Sequence, residues 1–329
     1  MPGIQSFTYL NYGKETVRGT PVAPTRKWYG KASSVLGFDL GLNLHTDENF
    51  GRRSQVRRMT QTTEDVSLAI GTDAYAFDDI WPWTQLKGGM TGVGGAADKT
   101  WTATPTLSGA ANNPEAFSID VGDDTQNWRV QYGMWSEFTI GAARQGLTTL
   151  TGTIFGQRAI KTGKATPADN TAVKIAGSWW TLKLASTFAG LPGASILTNF
   201  MEDWSLNVRT GLLWDHVQDG NLYGSQHVES AITGTLRLTV QSTASAVSEF
   251  YDNMASQTVR YARLRAVGPT LGGSNYSAQI DTPFVVTDVQ PIGAVKNNAI
   301  NLYRIVCELD DDGTNGITPV IVNSVAALP

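Results

Sequence analysis

Strict two-residue alternation of apolar and polar side chains, present in both halves, constrains this chain more than any other feature. Phe38, Leu40, Leu42 and Leu44 point one way, and Asp39, Gly41, Asn43 and His45 the other. Val66, Leu68 and Ile70 then alternate with Asp65, Ser67 and Ala69. In the second half Trp204, Leu206 and Val208 alternate with Ser205, Asn207 and Arg209, and Ile232, Leu236, Leu238 and Val240 with Thr233, Thr235, Arg237 and Thr239. A period of two marks strands with one dry face and one wet face. Matching Phe38 to Trp204 gives an offset of 166 and Val66 to Leu236 one of 170, so a four-residue loop difference reconciles the halves as a pattern repeat.

Further strands are expected at residues 117–121, 127–131, 138–140 and 147–155, then at 259–267, 279–287, 300–309 and 317–322. Each half also offers one brief helix. The first, residues 74–80, has Thr72 or Asp73 to cap it and is stopped by Pro82. The second, residues 244–254, has Val247, Phe250, Tyr251 and Met254 at helical spacing. Residues 1–31 read as an extended arm, because Pro21 and Pro24 forbid a helix interior. With little core of its own, the arm must lie against its own domain or a neighbouring subunit, and its removal is expected to leave the rest folded. Residues 161–178 are rich in Gly, Thr, Lys and Ala without a period and read as a linker. The expected architecture is therefore mainly β, with an arm (1–31) and two tandem β-sandwich or barrel domains (32–160 and 179–329), each flanked by one helix. A length of 329 residues suits two such domains, and 34 glycines with 41% apolar and 16% charged residues suit turn-rich sheets with packed cores.

Catalytic signatures are missing. His45, His216 and His227 stand in no zinc-binding spacing and read as solvated side chains. Residues 88–95 hold loosely spaced glycines that match no phosphate-binding loop and read as a flexible loop. The carboxylate pairs Asp78-Asp79 and Asp123-Asp124 and the run Asp310-Asp311-Asp312 join neighbours that face opposite ways on a strand, so they read as a helix surface and two turns. Cys307 is alone and belongs on the dry face with Tyr303, Ile305 and Leu309. No cofactor, no metal and no enzymatic activity are expected. A formal charge of −4 gives no sign of firm nucleic-acid binding. No stretch has the about 18 apolar residues of a membrane-spanning helix. The first residues lack a signal peptide's basic and apolar regions, so assembly in the cytoplasm is expected. Ten tryptophans, among them Trp81, Trp83, Trp179, Trp180 and Trp214, leave a surface carbohydrate-binding or adhesin-like β protein as the rival reading.

The segment Gly13-Lys14-Glu15-Thr16-Val17-Arg18-Gly19-Thr20-Pro21-Val22-Ala23-Pro24-Thr25 resembles the N-terminal signature of the major tail proteins of siphophages. Tyr132-Gly133-Met134-Trp135-Ser136-Glu137-Phe138-Thr139-Ile140 with residues 147–156 is similar to the middle of that family, and residues 204–309, with Ile280-Asp281-Thr282-Pro283, to its C-terminal half. The resemblance implies tail-tube-type β domains that form stacked rings around a tape-measure protein, in the tail of a long-tailed virion. DNA would pass through the bore without lasting contact or membrane insertion. Two domains per chain would let three chains close a pseudo-six-fold ring, with six chains the alternative, and would imply contacts with a tail terminator and with distal tail or baseplate proteins. Lys14, Glu15, Pro21 and Pro24 would then form an intersubunit arm. Arg52, Arg53, Arg57 and Arg58, crowded between two strands, read as a solvated loop, as an inter-ring contact or, less readily because firm phosphate binding would brake DNA, as a DNA contact; in a stacked tube they would form the inter-ring contact. Changing all four arginines to Glu is expected to shorten tubes at matched protein concentration, measured on electron micrographs; unchanged lengths would remove the arginines from the stacking contact.

Overall fold

The computed structural model describes residues 9–28, 35–48, 56–86, 89–95, 98–103, 114–123, 125–167, 172–197, 201–243, 247–295, 300–310 and 312–328. The first half runs β1 (Tyr9–Lys14), β2 (Arg26–Lys27), β3 (Val35–Asp39), the hairpin β4 (Leu42–Glu48) and β5 (Val56–Glu64), and β6 (Val66–Thr72). After a 3-10 turn, Trp81–Gln85, come β7 (Met90–Val93), β8 (Lys99–Ala103), β9 (Phe117–Gly122), β10 (Asn127–Ala143), β11 (Thr149–Gly156) and β12 (Arg158–Lys161). The second half runs β13 (Trp180–Ala185), β14 (Met201–Arg209), the hairpin β15 (Leu212–Asp215) and β16 (Gln226–Glu229), β17 (Thr233–Gln241), β18 (Arg260–Leu271), β19 (Ser274–Val295), β20 (Ile300–Leu309) and β21 (Thr318–Asn323).

Antiparallel ladders join these strands in the order β3–β6–β11–β10–β14–β17–β20–β19–β18–β13. Among the described residues no pairing closes that path into a ring. The expected alternation sets its two faces. Leu68, Ile70, Leu150, Ile154, Phe138, Ile140, Leu206, Val208, Leu236, Leu238, Ile305 and Cys307 are all buried on one side. Glu137, Thr139, Ser205, Asn207, Thr235, Arg237 and Glu308 stay at least partly open on the other. Strand β10 also belongs to a second sheet, pairing through its first half with β9 and β12, and β9 leads on to β1 and β2. The handover falls at Tyr132, whose φ of 53° is rare for a non-glycine residue. Glu15 holds that conformation by accepting the Tyr132 N–H at 2.9 Å.

The linker expected at 161–178 does not separate two bodies. Ile175 is fully buried, its N–H donates to the Tyr75 carbonyl, and its own carbonyl accepts the Thr148 N–H. The halves share the β10–β14 ladder and a second joint where β21 pairs with β8. One contiguous apolar cluster runs from Leu10 to Val325. Several other expectations need correction. Residues 74–80 form turns, not a helix: Tyr75, Ala76, Phe77 and Ile80 are all buried, so the segment has no wet face for a surface helix to present. The second helix is a π turn, Val247–Asp252, followed by four α-helical residues, Asn253–Ser256, ended by Gln257 in the left-handed region. The expected single strand through residues 38–44 breaks at Gly41 (φ 59°), where a Cβ would lie 1.5 Å from the Asp65 carbonyl oxygen. Residues 90–93 of the expected flexible loop form β7, paired with β8.

The arm lies against its own chain. Tyr12 stacks on Trp81 at 4.5 Å between ring centroids, Trp28 meets Trp81 edge-on at 5.5 Å, and Trp81 meets Trp135 at 5.1 Å. Truncation of one buried tryptophan typically costs about 3–5 kcal/mol, which is comparable with the whole stability of many domains. Contrary to the expectation from sequence, deletion of residues 1–31 should therefore give protein without a cooperative thermal transition, observed by near-UV circular dichroism. A native-like spectrum and sharp melt from the truncated chain would refute this.

Candidate assembly surface

The sheet carries an internal repeat that the ladders define residue by residue. In the first half β3 pairs with β6, β6 with β11 and β11 with β10; in the second β14 pairs with β17, β17 with β20 and β20 with β19. Phe38 opposes Leu68 as Leu206 opposes Leu236, so one offset of 168 (206 − 38 and 236 − 68) relates both strand pairs. The sequence offsets of 166 and 170 each missed by two residues, which preserves the face but shifts the partner. Both halves insert a hairpin at the same point. Gly41 and Gly211 both take positive φ, and their carbonyls accept the N–H of Asp65 and Ser230 from the far side of each insertion. Bulges also coincide: Ser136 and Thr287 are each skipped by the ladder, and each hydroxyl donates to the carbonyl across the strand pair, Thr153 and Val306 respectively.

The joint between halves is β10 against β14, with Phe138 opposite Val208, Thr139 opposite Asn207 and Ile140 opposite Leu206. Asn207 Nδ2 donates to Thr139 Oγ1 at 3.0 Å, and Arg209 lies 3.6 Å from Glu137. Thr139, Asn207 and Arg209 line a shallow polar trough of about 530 Å³ with Ser205, Thr235, Arg237 and Glu308. At the end of the joint the second hairpin crosses onto the first half. Leu212 and Trp214 pack with Tyr132, Met134 and Phe155, and His216 Nε2 lies 2.8 Å from Asp65. His227, on β16, meets the Tyr132 hydroxyl at 3.0 Å, and burial pushes its pKa down; it is not the solvated loop side chain the sequence suggested.

Of the four residues nominated for an intersubunit arm, three are engaged within the chain. The buried Glu15 carboxylate accepts from the Gly19 N–H, the Ser118 hydroxyl and the Tyr132 N–H, and Pro24 is buried. Lys14 pairs with Glu115 at 2.8 Å, while Pro21 is exposed. Arg57 and Arg58 lie on β5 of the first hairpin; Arg52 and Arg53 lie outside the described residues. Asp123 and Asp312 are structural, and Asp124 and Asp311 lie outside the described residues. Asp123 caps its turn by accepting the Thr125 and Gln126 N–H groups, and Asp312 does the same for Thr314 and Asn315. Among the described residues no group of three or more His, Cys, Asp or Glu side chains is placed to hold a metal ion. Seven of the ten tryptophans are buried and Trp128, Trp179 and Trp214 are partly so, so the tryptophans serve packing within the chain.

The two halves thus share one wide sheet with a dry face and a hydroxyl-rich face. The family described as phage tail tube protein matches residues 8–294, and the chain belongs to that family. No curated protein matches the chain.

Asp78 and Asp79, expected on a helix surface, are both buried, beside Arg26 and Lys174. Burial raises the Asp79 carboxyl to about 7, against the attraction of Lys174 and Arg26. A carboxyl whose folded value is raised favours folding while it stays protonated, and that advantage disappears as pH rises through the folded value. Stability should thus fall between about pH 4 and 7, by up to about 4 kcal/mol at about 1.4 kcal/mol per pH unit. Asp79→Asn should flatten the fall, seen as a smaller difference in Tm between pH 5 and pH 8; an unaltered difference would assign the effect elsewhere.

Proposed function

We propose that this chain polymerises into stacked rings that form the hollow tail tube of a long-tailed phage, the conduit for genome delivery. The observation that carries the reading is the polar face continuing across both halves of one sheet. From β11 through β20 it presents Thr151, Thr139, Asn207, Ser205, Thr235 and Thr239, with arginines and carboxylates interspersed. Such a face suits a wall past which a polyanion must slide: hydroxyls and amides hydrate well, and a few balanced charges give no dense cationic surface to hold phosphates. On these central strands the opposite face lies in the core, so this part of the sheet has one side to offer.

In this reading each half is one tube module, the boundaries following 32–160 and 179–329, and three chains complete a pseudo-six-fold ring. The partners are further copies of the chain, a tape-measure protein in the bore, and terminator and distal tail proteins at the tube ends, within the virion tail. The hairpin β4–β5, a two-stranded sheet of its own with Arg57 and Arg58 on it, supplies the inter-ring contact together with Arg52 and Arg53, and the exposed Pro21 and Val17 supply the part of the arm open to neighbours. Negative-stain microscopy of the purified chain tests the reading. Annular particles or tubes with a stain-filled centre are expected, and a monodisperse monomer at high concentration would end it.

A further inference from the structure

Two of the chain's three histidines lie at contacts between the second hairpin, β15–β16, and the first half. The register of the hairpin sets its inner face. Trp214 stands opposite His227 and Leu212 opposite Glu229, so all four share one side. That side meets Tyr132: the Trp214 ring lies edge-on at 4.8 Å, and the hydroxyl lies 3.0 Å from His227 Nδ1. Beneath it Met134, fully buried, belongs to the small apolar cluster that Leu212 and Trp214 complete. Arg18 of the arm donates to the Tyr132 side chain from the other direction. A guanidinium has no acceptor to offer, so the hydroxyl proton is assigned to His227 Nδ1, which accepts it only in the neutral imidazole. The remaining N–H, on Nε2, faces Glu229 Oε1 at 3.5 Å. A second proton on Nδ1 would leave the hydroxyl proton without that acceptor and set an imidazolium beside the Arg18 guanidinium. Burial and Arg18 accordingly hold the His227 pKa down.

We infer that the second hairpin is a proton-sensitive clasp: neutral His227 holds it against Tyr132, and protonation of His227 loosens it from the first half. Glu229 does not oppose the release. It lies two residues away on the same strand and accompanies the imidazolium whether the hairpin is docked or loose. Arg18, Tyr132 and Glu15, which accepts the Tyr132 N–H, belong to the first half and stay behind. His216 acts in the opposite sense, since only its protonated form makes an ion pair with Asp65, but that pair is exposed and therefore weak. Docking is fully favoured above the ordinary histidine value, about 6.5, and weakens as pH falls, by at most about tenfold per pH unit. The direction is opposite to that of Asp79, whose burial weakens the fold as pH rises. The clasp belongs to the single chain and does not depend on the ring-forming reading.

Peroxide oxidation of Met134 tests the clasp, because the thioether reacts only when the hairpin lifts and its own reactivity changes little over the range. In the full-length chain, mass spectrometry of the Met134 peptide should show oxidation several-fold faster at pH 5 than at pH 7.5. Met90, buried in the main core, should react equally at both. His227→Gln, uncharged at every pH, should abolish the difference. Arg18→Gln should move the onset of Met134 oxidation to higher pH, because the imidazolium then forms without a like charge beside it; a purely structural role for Arg18 would speed oxidation equally at both pH values. Equal oxidation of Met134 at pH 5 and pH 7.5 would overturn the clasp. So would a pH dependence that persists in His227→Gln or that Met90 shares. Should His227→Gln fail to fold, an unmoved onset in Arg18→Gln would overturn it as well.

Discussion

Strand parity governs this molecule. Along the strands from β6 to β20 alternate side chains enter one core, and their neighbours form a wet face. Burying each Leu, Ile, Val or Phe contributes about 1.5–3 kcal/mol, so a one-residue slip of β10 against β14 would move Phe138 and Ile140 into water and Glu137 and Thr139 into the core. Register is consequently the best-defended quantity in the fold. The bulges at Ser136 and Thr287, each stapled by a hydroxyl to the opposite strand, pin it at equivalent points of both halves. Where the sheet must change partners, at Tyr132, the strained backbone is held by the buried Glu15 carboxylate rather than by packing alone.

What the sequence disclosed follows from that parity. Alternation at Phe38, Val66, Trp204 and Leu236 identified the repeated strands and the dry face, because a two-residue period is local and survives translation into structure. Pair identity did not, since a shift by two residues leaves the pattern unchanged; only the ladders equate Phe38 with Leu206. The first helix was misjudged because Pro82 and the apolar run around it look the same in a short surface helix and in a buried turn. Burial of Trp81 is decided by the arm that folds over it, while Trp83 is held by the Tyr75 hydroxyl and the Phe138 ring. The linker failed for a related reason: Lys174, Ile175 and Ala176 are short of strand signals but bridge to Ala76 and Leu147, contacts that no local pattern announces. A signal for the broken strand was available in Gly41, the one residue in that stretch able to take a left-handed turn without strain.

The two halves are alike in ladder order and unlike in what supports them. An aromatic cluster of Tyr12, Trp28, Trp81, Phe117 and Trp135 fills the end of the first half, roofed by the arm and the second sheet. At the corresponding region the second half has a brief helix with Phe250 buried beneath it. Each half is thus completed by different material while the shared sheet stays constant. This division explains how one chain can carry two modules without their exchanging places: the β10–β14 ladder is reinforced by the hairpin contact of Trp214 with Tyr132 and Phe155, and the β21–β8 ladder ties the far end back to the start.

An open edge is a hazard as well as an opportunity, since unpaired N–H and C=O groups accept any extended chain. On β19, Pro291 removes a donor that a stray strand would use, and β3 is only five residues long before Gly41 turns the chain away. Backbone pairing of such a short strand is weak by itself, so both edges are poor templates for an unrelated chain.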